Sequence, residues 1–394
     1  MKILISGAGI AGPSLAYWLV QYGFDVAIVE KAPSLRTGGY IIDFWGAGYD
    51  IAERMGLLPE IQQKGYMLRE VRVVDATGNR VAGFPAAAFS RMTKGRYVSL
   101  PRGDLAASIF GKIRGKVETI FGDGVSRIEQ VDSAVDVTFQ NGAKRSFDLI
   151  IGADGLHSRI REIVYGPEKQ FEHYLGYKAA AFEIGGYRPR DELIYVMYTQ
   201  VGQQAARFAM RGERTMFLFT FADSNVSGPD DVPSQKALLR ERFGGSGWEC
   251  PEILRALDSA ENFYFDRVSQ IKMRSEPGSW TRGRVTLLGD AAFCVSLLAG
   301  QGSSLAMVAA YILAGELHRA GGGYKTAFAR YEQIFGPFVA GKQKAALRFA
   351  GTFAPKSKFA LFLRNQAFKL AGIPLIADLA VGRGVVDKIR LPEY

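Results

Sequence analysis

Apolar and polar positions fall into three blocks at the start of the chain. An apolar run at residues 2–6 predicts a buried parallel strand, and apolar residues at helical spacing predict a helix at 13–22. A second apolar run predicts another strand at 25–30. Proline is tolerated in the first turn of a helix, and Gly23 suits the end of this one. The pattern therefore predicts a βαβ unit.

The turn between the first predicted strand and the helix has the sequence GAGIAG. Gly7 permits a tight turn, Gly9 lets the backbone approach a pyrophosphate, and Gly12 allows the helix to pack closely on the strand. The N-terminus of the helix adds free N–H groups and the positive end of a dipole. Glu30 ends the second strand, where a carboxylate favours a free ribose 2′-hydroxyl and repels a 2′-phosphate. The turn predicts a dinucleotide site for FAD or NAD and does not choose between them.

Strand patterns dominate much of the remaining chain, with helices between and after them. Residues 217, 219 and 221 are all phenylalanine, which is the period of two expected of a strand. Helical spacing occurs at 102–113 and again from residue 303 onward. The strand patterns occur at residues 68–100, 116–121, 125–150, 176–223 and 284–288. Nucleotide-binding elements and an antiparallel sheet therefore alternate along the chain, and one linear cut would not separate two domains.

Length and composition agree with a globular protein of two domains. The chain has 394 residues, of which 48% are hydrophobic and 22% charged. Its two cysteines, Cys250 and Cys294, support no disulfide framework, and its three histidines lack ligand spacing, so we expect no metal site. The first residues lack a signal-peptide pattern, and no apolar run approaches the length of a membrane span. These features predict a cytoplasmic protein.

The formal charge of +10 is concentrated near the C-terminus. Residues 341–394 contain ten Lys or Arg residues against three Asp or Glu residues. A solvated basic face is the first interpretation, and peripheral contact with a membrane surface or an acidic partner is the minor alternative. Nucleic-acid binding is not expected, because no basic stretch carries interleaved aromatic residues in a known module.

Two further motifs indicate the cofactor. The sequence GADGLHSRIR at 152–161 resembles the DG motif of flavin-dependent aromatic hydroxylases. The sequence RVTLLGDAA at 284–292, followed by AGQG at 299–302, resembles their GD motif. All three motifs stand in the order and at the spacing of that family. The chain thus resembles the class A FAD-dependent monooxygenases with the para-hydroxybenzoate hydroxylase fold, and most closely their tetracycline-inactivating branch.

The resemblance implies an α/β fold. A Rossmann-like FAD-binding domain of the GR2 type would be interleaved with an antiparallel-sheet substrate domain and followed by C-terminal helices. The implied FAD-binding domain comprises residues 1–72, 99–175 and 268–340. The substrate-binding sheet domain comprises residues 73–98 and 176–267, and the C-terminal helical segment comprises 341–394.

The opening turn and the resemblance together imply a set of FAD-binding residues. Asp290 would contact the ribityl and pyrophosphate region, and Arg102 matches an FAD-contacting arginine that directly precedes a predicted helix. Gly300, Gln301 and Gly302 would let backbone approach the flavin ring, with the next helix starting near Ser303. The whole set is Gly7, Gly9, Ala11, Gly12, Glu30, Lys31, Arg102, Val125, Asp154, Asp290, Gly300, Gln301, Gly302 and Ser303.

Several of these residues also have a structural interpretation. Asp290 is a suitable helix N-cap, and Asp154 is a suitable cap for the helix expected near Ser158. In the family, Asp154 and Arg161 match positions tied to FAD and to nicotinamide binding. NADPH or NADH has no Rossmann pocket of its own, because the sequence holds no second GxGxxG. Lys31 and Arg36 would hold its phosphates, or belong to a solvated loop.

The function implied by the resemblance is monooxygenation of a small molecule. NADPH or NADH would reduce FAD, O2 would add at the flavin C4a, and the hydroperoxide would transfer one oxygen atom to an aromatic or polyketide-like substrate. The cofactor does this chemistry, so we assign no catalytic residue to the protein. The alternative is an FAD-binding oxidoreductase of the same fold without hydroxylation, acting as a reductase or a ligand-binding flavoprotein. The WxWxI pattern of halogenases on this fold is missing, which argues against a halogenase. The chain would act as a monomer or homodimer.

The substrate is expected between the flavin ring and the sheet domain, because pockets often form where domains meet. The candidate lining residues are Phe182, Tyr195, Phe208, Met210 and Phe219. Each of them is also a suitable core residue.

The sequence departs from the family around the flavin. Phe293 and Leu297 stand where the family usually has histidine and proline, and Ser304, Ala309 and Ala310 replace acidic and asparagine positions. Either this branch has drifted with its chemistry intact, or oxygen activation is altered. An apolar pocket is compatible with a flavin hydroperoxide, because it limits loss of peroxide to water.

Overall fold

A computed structural model describes residues 1–36, 38–260, 262–273, 279–371 and 389–394. Its strands and helices are β1 (Lys2–Ser6), α1 (Ala11–Gln21), β2 (Asp25–Glu30), β3 (Ile41–Trp45), α2 (Ala47–Arg54), α3 (Leu58–Lys64), β4 (Glu70–Val74), β5 (Arg80–Pro85), α4 (Ala87–Met92), β6 (Tyr97–Pro101), α5 (Arg102–Gly111), β7 (Glu118–Phe121), β8 (Val125–Gln130), β9 (Val135–Phe139), β10 (Lys144–Phe147), β11 (Leu149–Gly152), α6 (Arg159–Tyr165), β12 (Glu172–Gly185), β13 (Ile194–Gln200), β14 (Gln203–Ala209), β15 (Arg214–Ala222), α7 (Val232–Phe243), α8 (Cys250–Ala256), β16 (Phe263–Ile271), β17 (Thr281–Arg282), β18 (Val285–Leu287), α9 (Asp290–Phe293), α10 (Gly302–Arg319), α11 (Tyr324–Phe353) and α12 (Lys358–Ala371).

The predicted βαβ unit lies at the centre of a six-stranded sheet with the order β17-β18-β11-β1-β2-β7. Strand β1 pairs in parallel with both β2 and β11, and β11 pairs in parallel with β18. The three motifs follow β1, β11 and β18, whose carboxyl ends lie at one edge of the sheet. Strands far apart in sequence therefore bring GAGIAG, the DG motif and the GD motif together.

A second, seven-stranded sheet has the order β16-β12-β15-β14-β13-β4-β5. Its pairs are antiparallel except for β13 with β4. Residues of α7 and α8 cover one face, in a core that includes Phe243 and Ile253. Two smaller sheets, β10-β9-β8 and β3-β6, belong to the connecting segments. The expected α/β fold with an interleaved antiparallel sheet is confirmed.

Several of the expected domain limits fall inside strands. The limit at residue 72 lies within β4, and the limit at 267 lies within β16. Strand β4 pairs along its whole length with β13, so it belongs to the large sheet. We keep the interleaved division as a proposal, with its limits placed at strand ends.

The C-terminal helices connect the two sheets. Helix α10 is almost wholly buried and packs against α1, α2 and α11. Helix α12 packs on β5 of the large sheet, and residues 389–394 return to α10. The part of the predicted C-terminal segment at 372–388 lies outside the described residues. Within the described chain, no helix is long and apolar enough to cross a membrane.

Candidate cofactor and substrate site

The glycines of the opening turn have different surroundings. Gly7 has a φ of +111°, and a Cβ on it would lie 2.4 Å from the carbonyl oxygen of Ala153. A Cβ on Gly12 would lie 2.0 Å from the carbonyl oxygen of Gly7. At Gly9 the same position is open, and its nearest neighbour is the Arg102 Nη2 at 3.8 Å. Gly7 and Gly12 therefore serve close packing, whereas Gly9 leaves the turn open to a ligand.

Glu30 holds the turn from the neighbouring strand. Its carboxylate accepts hydrogen bonds from the backbone N–H groups of Ala8 at 2.8 Å and Ala32 at 2.9 Å. The loop before β8 also reaches this point, because the Asp123 N–H donates to the Glu30 carbonyl oxygen at 3.2 Å. Val125 is buried at the start of that strand, and Lys31 is exposed beside Glu30. These residues lie together at one edge of the parallel sheet.

Arg102 and Asp290 lie on the other side of the turn. Arg102 begins α5 and reaches towards Gly9, and within the described chain its guanidinium has no ion pair or side-chain hydrogen bond. A Cβ on Gly302 would lie 3.6 Å from the Asp290 Oδ1. Burial raises the pKa of the Asp290 carboxyl, and the charge of Arg102 opposes that shift. Ala11 packs beside this motif, with its Cβ 3.1 Å from where a Cβ on Gly289 would stand.

The segment after Asp290 leads into a helix N-terminus. Gly300 has a φ of +64°, and the space where its Cβ would stand is open. Gln301 is the N-cap of α10, which begins at Gly302 and continues through Ser303. The Ser304 Oγ accepts a hydrogen bond from the Gly48 N–H at 2.9 Å, which ties the first turn of α2 to this helix. The open N-terminus of α10 presents positive charge where reduced flavin would gather negative charge.

These features fit an FAD molecule. The open turn at Gly9 and the unpaired guanidinium of Arg102 would hold the pyrophosphate. Glu30 and Val125 would hold the adenosine end, and the segment from Gly300 to Ser303 would hold the flavin end. When bound, FAD supplies electron transfer and oxygen chemistry. The assignments of individual contacts remain predictions.

The DG motif has a structural role. The Asp154 carboxylate accepts hydrogen bonds from the Ser158 Oγ at 2.5 Å and the Ile160 N–H at 3.0 Å. Burial raises the pKa of this carboxyl. Ser158 in turn caps α6 by accepting from the Arg161 N–H. The capping alternative for Asp154 is therefore present in the structure, and a contact between Asp154 and FAD stays a prediction.

Arg161 connects the DG motif to the GD motif. Its side chain is fully buried and donates to the Ala291 carbonyl oxygen at 2.9 Å and to Glu168 Oε2 at 2.6 Å. Such a guanidinium is committed to the protein, so we withdraw Arg161 as a nicotinamide contact. Glu168 also contacts His157, whose pKa is raised to about 9 by hydrogen bonds with Asp266 and Glu168.

The candidate substrate residues divide between the two faces of the large sheet. Tyr195, Phe208 and Met210 belong to a cluster that also contains Tyr66. Phe208 pairs across strands with Tyr195, so both side chains point to the same face. Tyr40 and Tyr66, from the segment before β4, pack in this cluster, and Tyr40 lies near Arg102. We therefore call this face the cofactor-facing side of the sheet.

Phe182 and Phe219 lie on the opposite face. Both belong to the core beneath α7 and α8, where Phe219 meets Phe243 with ring centroids 4.8 Å apart. Including them in the substrate pocket was wrong. The sequence pattern shows that consecutive side chains of a strand point to opposite faces of the sheet. It does not show which of the two faces the helices cover.

Sequence reasoning missed Tyr40 and Tyr264. Their ring centroids lie 5.6 Å apart, between the cofactor site and the cofactor-facing side of the sheet. Burial raises the pKa of Tyr40 to about 12, with the charge of Arg102 opposing the shift. Arg102 also faces Tyr264, whose pKa burial raises well above its usual value. No local pattern marks these tyrosines, because a contact between residues this distant depends on the tertiary fold.

A row of buried polar side chains was also missed. The Arg364 Nη1 donates to the Thr199 Oγ1 at 2.9 Å, and that hydroxyl donates to the Gln204 Oε1 at 3.2 Å. Arginine can only donate, so the hydroxyl hydrogen of Thr199 must point to the amide oxygen of Gln204. The Gln204 Nε2 and the Thr220 Oγ1 on the adjacent strand are buried without a hydrogen-bond partner among the described residues. We call Thr199, Gln204, Thr220 and Arg364 the polar row.

The departures from the family have packing explanations. Phe293 lies in an aromatic core, with its ring centroid 5.0 Å from that of Trp280 and 5.2 Å from that of Phe335. Leu297 packs against a small apolar cluster, and Ala309 and Ala310 are fully buried in α10. A histidine at position 293 would place a polar ring in that core.

The fold and the site define an FAD-binding oxidoreductase with two interleaved sheets. A family model described as an FAD binding domain matches residues 1–338, so the chain belongs to that family. It is 34% identical over 395 residues to a flavin-dependent monooxygenase from an unknown prokaryotic organism, covering 100% of this chain and 99% of that protein.

Solved structures give the same result. The tetracycline destructase Tet(51) is 34% identical with a TM-score of 0.82, covering 100% of this chain and 99% of its own. HpxO of Klebsiella pneumoniae, solved with FAD and uric acid, is 25% identical with a TM-score of 0.78, covering 97% of each chain. The protein is an FAD-dependent monooxygenase.

Proposed function

We propose that this monooxygenase hydroxylates an aromatic or polyketide-like molecule held between the cofactor site and the large sheet. One observation carries the proposal. Tyr40 and Tyr264 lie beside Arg102, and the same cluster continues to Tyr195, Phe208 and Met210 on the cofactor-facing side of the sheet. A surface of aromatic and thioether side chains suits a flat, apolar ring system.

We further propose that the polar row receives an oxygen substituent of that substrate. Gln204 and Thr220 point to the same side of the sheet as Phe208, because Gln204 pairs with Thr220 and alternate residues of β14 share a face. A buried amide N–H2 without an acceptor is costly, and a carbonyl, enolate or carboxylate oxygen would satisfy it. The nearby charge of Arg364 favours an anionic oxygen.

We propose NADPH or NADH as the transient reductant. The sequence holds one GxGxxG, which the FAD site uses, so the nicotinamide cofactor would bind at the surface. Lys31 and Arg36 are exposed at the cofactor edge of the parallel sheet and suit its phosphates. We also place the enzyme in the cytoplasm, as a monomer or homodimer, in keeping with its free buried cysteines.

The test combines three measurements on the FAD-loaded protein. A panel of phenols, aromatic polyketides and tetracyclines is screened for stimulated oxidation of NADPH and NADH. Products are then analysed for oxygen-18 after reaction under labelled O2. We expect at least one substrate to give both stimulated oxidation and one labelled oxygen atom in the product. NAD(P)H oxidation that yields only hydrogen peroxide across the whole panel would favour the alternative, an oxidoreductase without hydroxylation.

The polar row is tested with the substrate found in that screen. Gln204→Leu should raise KM by about tenfold, because a substrate oxygen loses its donor. Gln200→Leu, one strand away and bonded to the Ser246 hydroxyl, is the matched control and should leave KM unchanged. Equal KM values for the two variants would count against a substrate oxygen at the polar row.

A further inference from the structure

Helix α12 lies on the large sheet with an unusual distribution of side chains. Its inner face contributes Arg364, which is buried, and Phe368, whose ring centroid lies 5.5 Å from that of Phe84 on β5. Most amphipathic helices place their largest apolar residues against the core. In α12, by contrast, the buried residue of the inner face is a charged one, Arg364.

The outer face of α12 carries the large apolar residues. Phe359 is 69% exposed, Phe362 56%, Leu363 50% and Leu370 45%. Their spacing places all four on one stripe of the helix. We call Phe359, Phe362, Leu363 and Leu370 the outer stripe. An exposed group of this kind, on a helix that already packs on the protein, indicates an interaction surface.

The charge around the outer stripe has one sign. Residues 341–371 contain five lysines and two arginines and no aspartate or glutamate. Lys358 and Lys369 are exposed next to the stripe, and within the described chain neither of them is in an ion pair. Apolar residues flanked by unpaired lysines are the pattern of helices that lie on anionic lipid surfaces.

The size of the outer stripe favours a lipid surface over a second copy of the chain. A helix of 14 residues is about 20 Å long, so one face of it covers a few hundred Å², below the roughly 800 Å² per partner of a standard protein interface. Like-charged lysines would also oppose each other across a symmetric contact. We propose that the outer stripe and its lysines bind the protein peripherally to membranes containing anionic lipid.

The test is co-sedimentation of the full-length, FAD-loaded protein with vesicles. Phosphatidylcholine vesicles are compared with vesicles of phosphatidylcholine and phosphatidylglycerol, at low and high salt. We expect binding to the mixed vesicles that weakens with salt, and much weaker binding to phosphatidylcholine alone. Phe359→Ser with Leu363→Ser, and separately Lys358→Glu with Lys369→Glu, should each weaken binding by about tenfold or more.

Two matched variants serve as controls. Met67→Ser with Val226→Ser removes exposed apolar residues elsewhere, and Lys116→Glu with Lys144→Glu reverses exposed charges elsewhere. Both should bind vesicles like the wild type. The proposal is overturned if the wild type does not bind the mixed vesicles, or if the α12 variants bind as well as these controls. Light scattering that shows a dimer dissolved by Phe359→Ser with Leu363→Ser would assign the stripe to a second copy instead.

Discussion

At the scale of single residues, the cofactor site depends on which polar groups the protein leaves unsatisfied. The carboxylates of Glu30 and Asp154 accept hydrogen bonds from backbone N–H groups and, for Asp154, a hydroxyl. The Arg161 guanidinium donates to Glu168 and to a backbone carbonyl. Arg102 is different, since within the described chain it has no acceptor. A cation held beside an open turn without a partner is the group best placed to meet a pyrophosphate.

Replacing Arg102 with methionine should weaken FAD binding by about ten- to hundredfold, because a charge-assisted contact to phosphate is lost. The dissociation constant is measured by titrating apoprotein with FAD and following flavin fluorescence. Arg114→Met removes an exposed arginine in the turn that follows the same helix and should leave that constant unchanged. An unchanged constant for Arg102→Met would remove this residue from the site.

His157 provides a pH-dependent contribution to stability. Its pKa rises from 6.5 to about 9 in the folded protein, owing first to Asp266 and then to Glu168. A raised pKa means that this stabilisation is complete below the unfolded value of 6.5 and is lost as the pH rises towards about 9. The melting temperature of the wild type should therefore exceed that of His157→Gln in mildly acidic buffer, with no difference above the folded pKa. His157 is half exposed, so the difference should be small.

Repeating the comparison in a protein that also carries Asp266→Asn tests whether Asp266 causes the raised pKa of His157. The effect of His157→Gln on the melting temperature should depend less on pH in that background, because the largest contributor to the pKa shift is gone. A pH dependence of unchanged size would point to another source.

At the scale of elements, we expect the two faces of the seven-stranded sheet to have different roles, one in stability and the other in substrate binding. Its helix-covered face holds Phe182 and Phe219, and its cofactor-facing side holds Phe208 and Met210. Since consecutive residues of a strand point to opposite faces, substitutions on the two faces of this sheet should have different consequences.

Phe219→Leu should lower the free energy of unfolding by about 1–2 kcal/mol and leave KM for the substrate unchanged. Met210→Leu conserves volume, so it should cost less than about 1.5 kcal/mol while changing KM. Denaturant unfolding and steady-state kinetics measure the two effects. The division of the faces would be contradicted if Phe219→Leu changed KM and Met210→Leu did not.

At the scale of the whole molecule, the last residues join segments that are distant in sequence. The ring of Tyr394 fills the space above Gly315, where a Cβ would lie 2.1 Å from its Cδ2. The Tyr394 hydroxyl donates to the buried Glu316 at 2.9 Å, and Glu393 pairs with Arg54 at 2.8 Å. The C-terminus thus braces α10 and α2, the two helices whose ends meet at the flavin side of the site.

Tyr394→Ala should lower the free energy of unfolding by about 2 kcal/mol, because it removes ring packing and the hydrogen bond to Glu316. Gly315→Ala should act in the same direction, since its methyl group would displace the ring. Arg390→Ala, at an exposed position of the same segment, should have no effect. Chemical denaturation followed by flavin and tryptophan fluorescence measures all three, and a neutral Tyr394→Ala would show that the segment does not brace α10.

The motifs of the cofactor site could be recognised in the sequence because each of them is a short local segment, whereas their contacts with FAD stay predictions. The spacing of Gly7, Gly9 and Gly12 is a property of one turn, and Asp290 and Gly302 lie in one short segment. The substrate side was less predictable. Tyr40 and Arg364 reach the large sheet only through contacts with residues far along the chain, and no short motif records such contacts.

Periodicity and the backbone requirements of a few glycines were enough to predict the βαβ unit and the interleaved fold class. FAD as the cofactor was implied only by the resemblance of three motifs to those of the flavin-dependent hydroxylases. The tertiary structure decided which sheet face meets the cofactor, that Asp154 caps a helix, and that α12 turns its apolar residues outward. Each of these outcomes depends on what another segment covers, and burial of that kind is settled only when the whole chain packs.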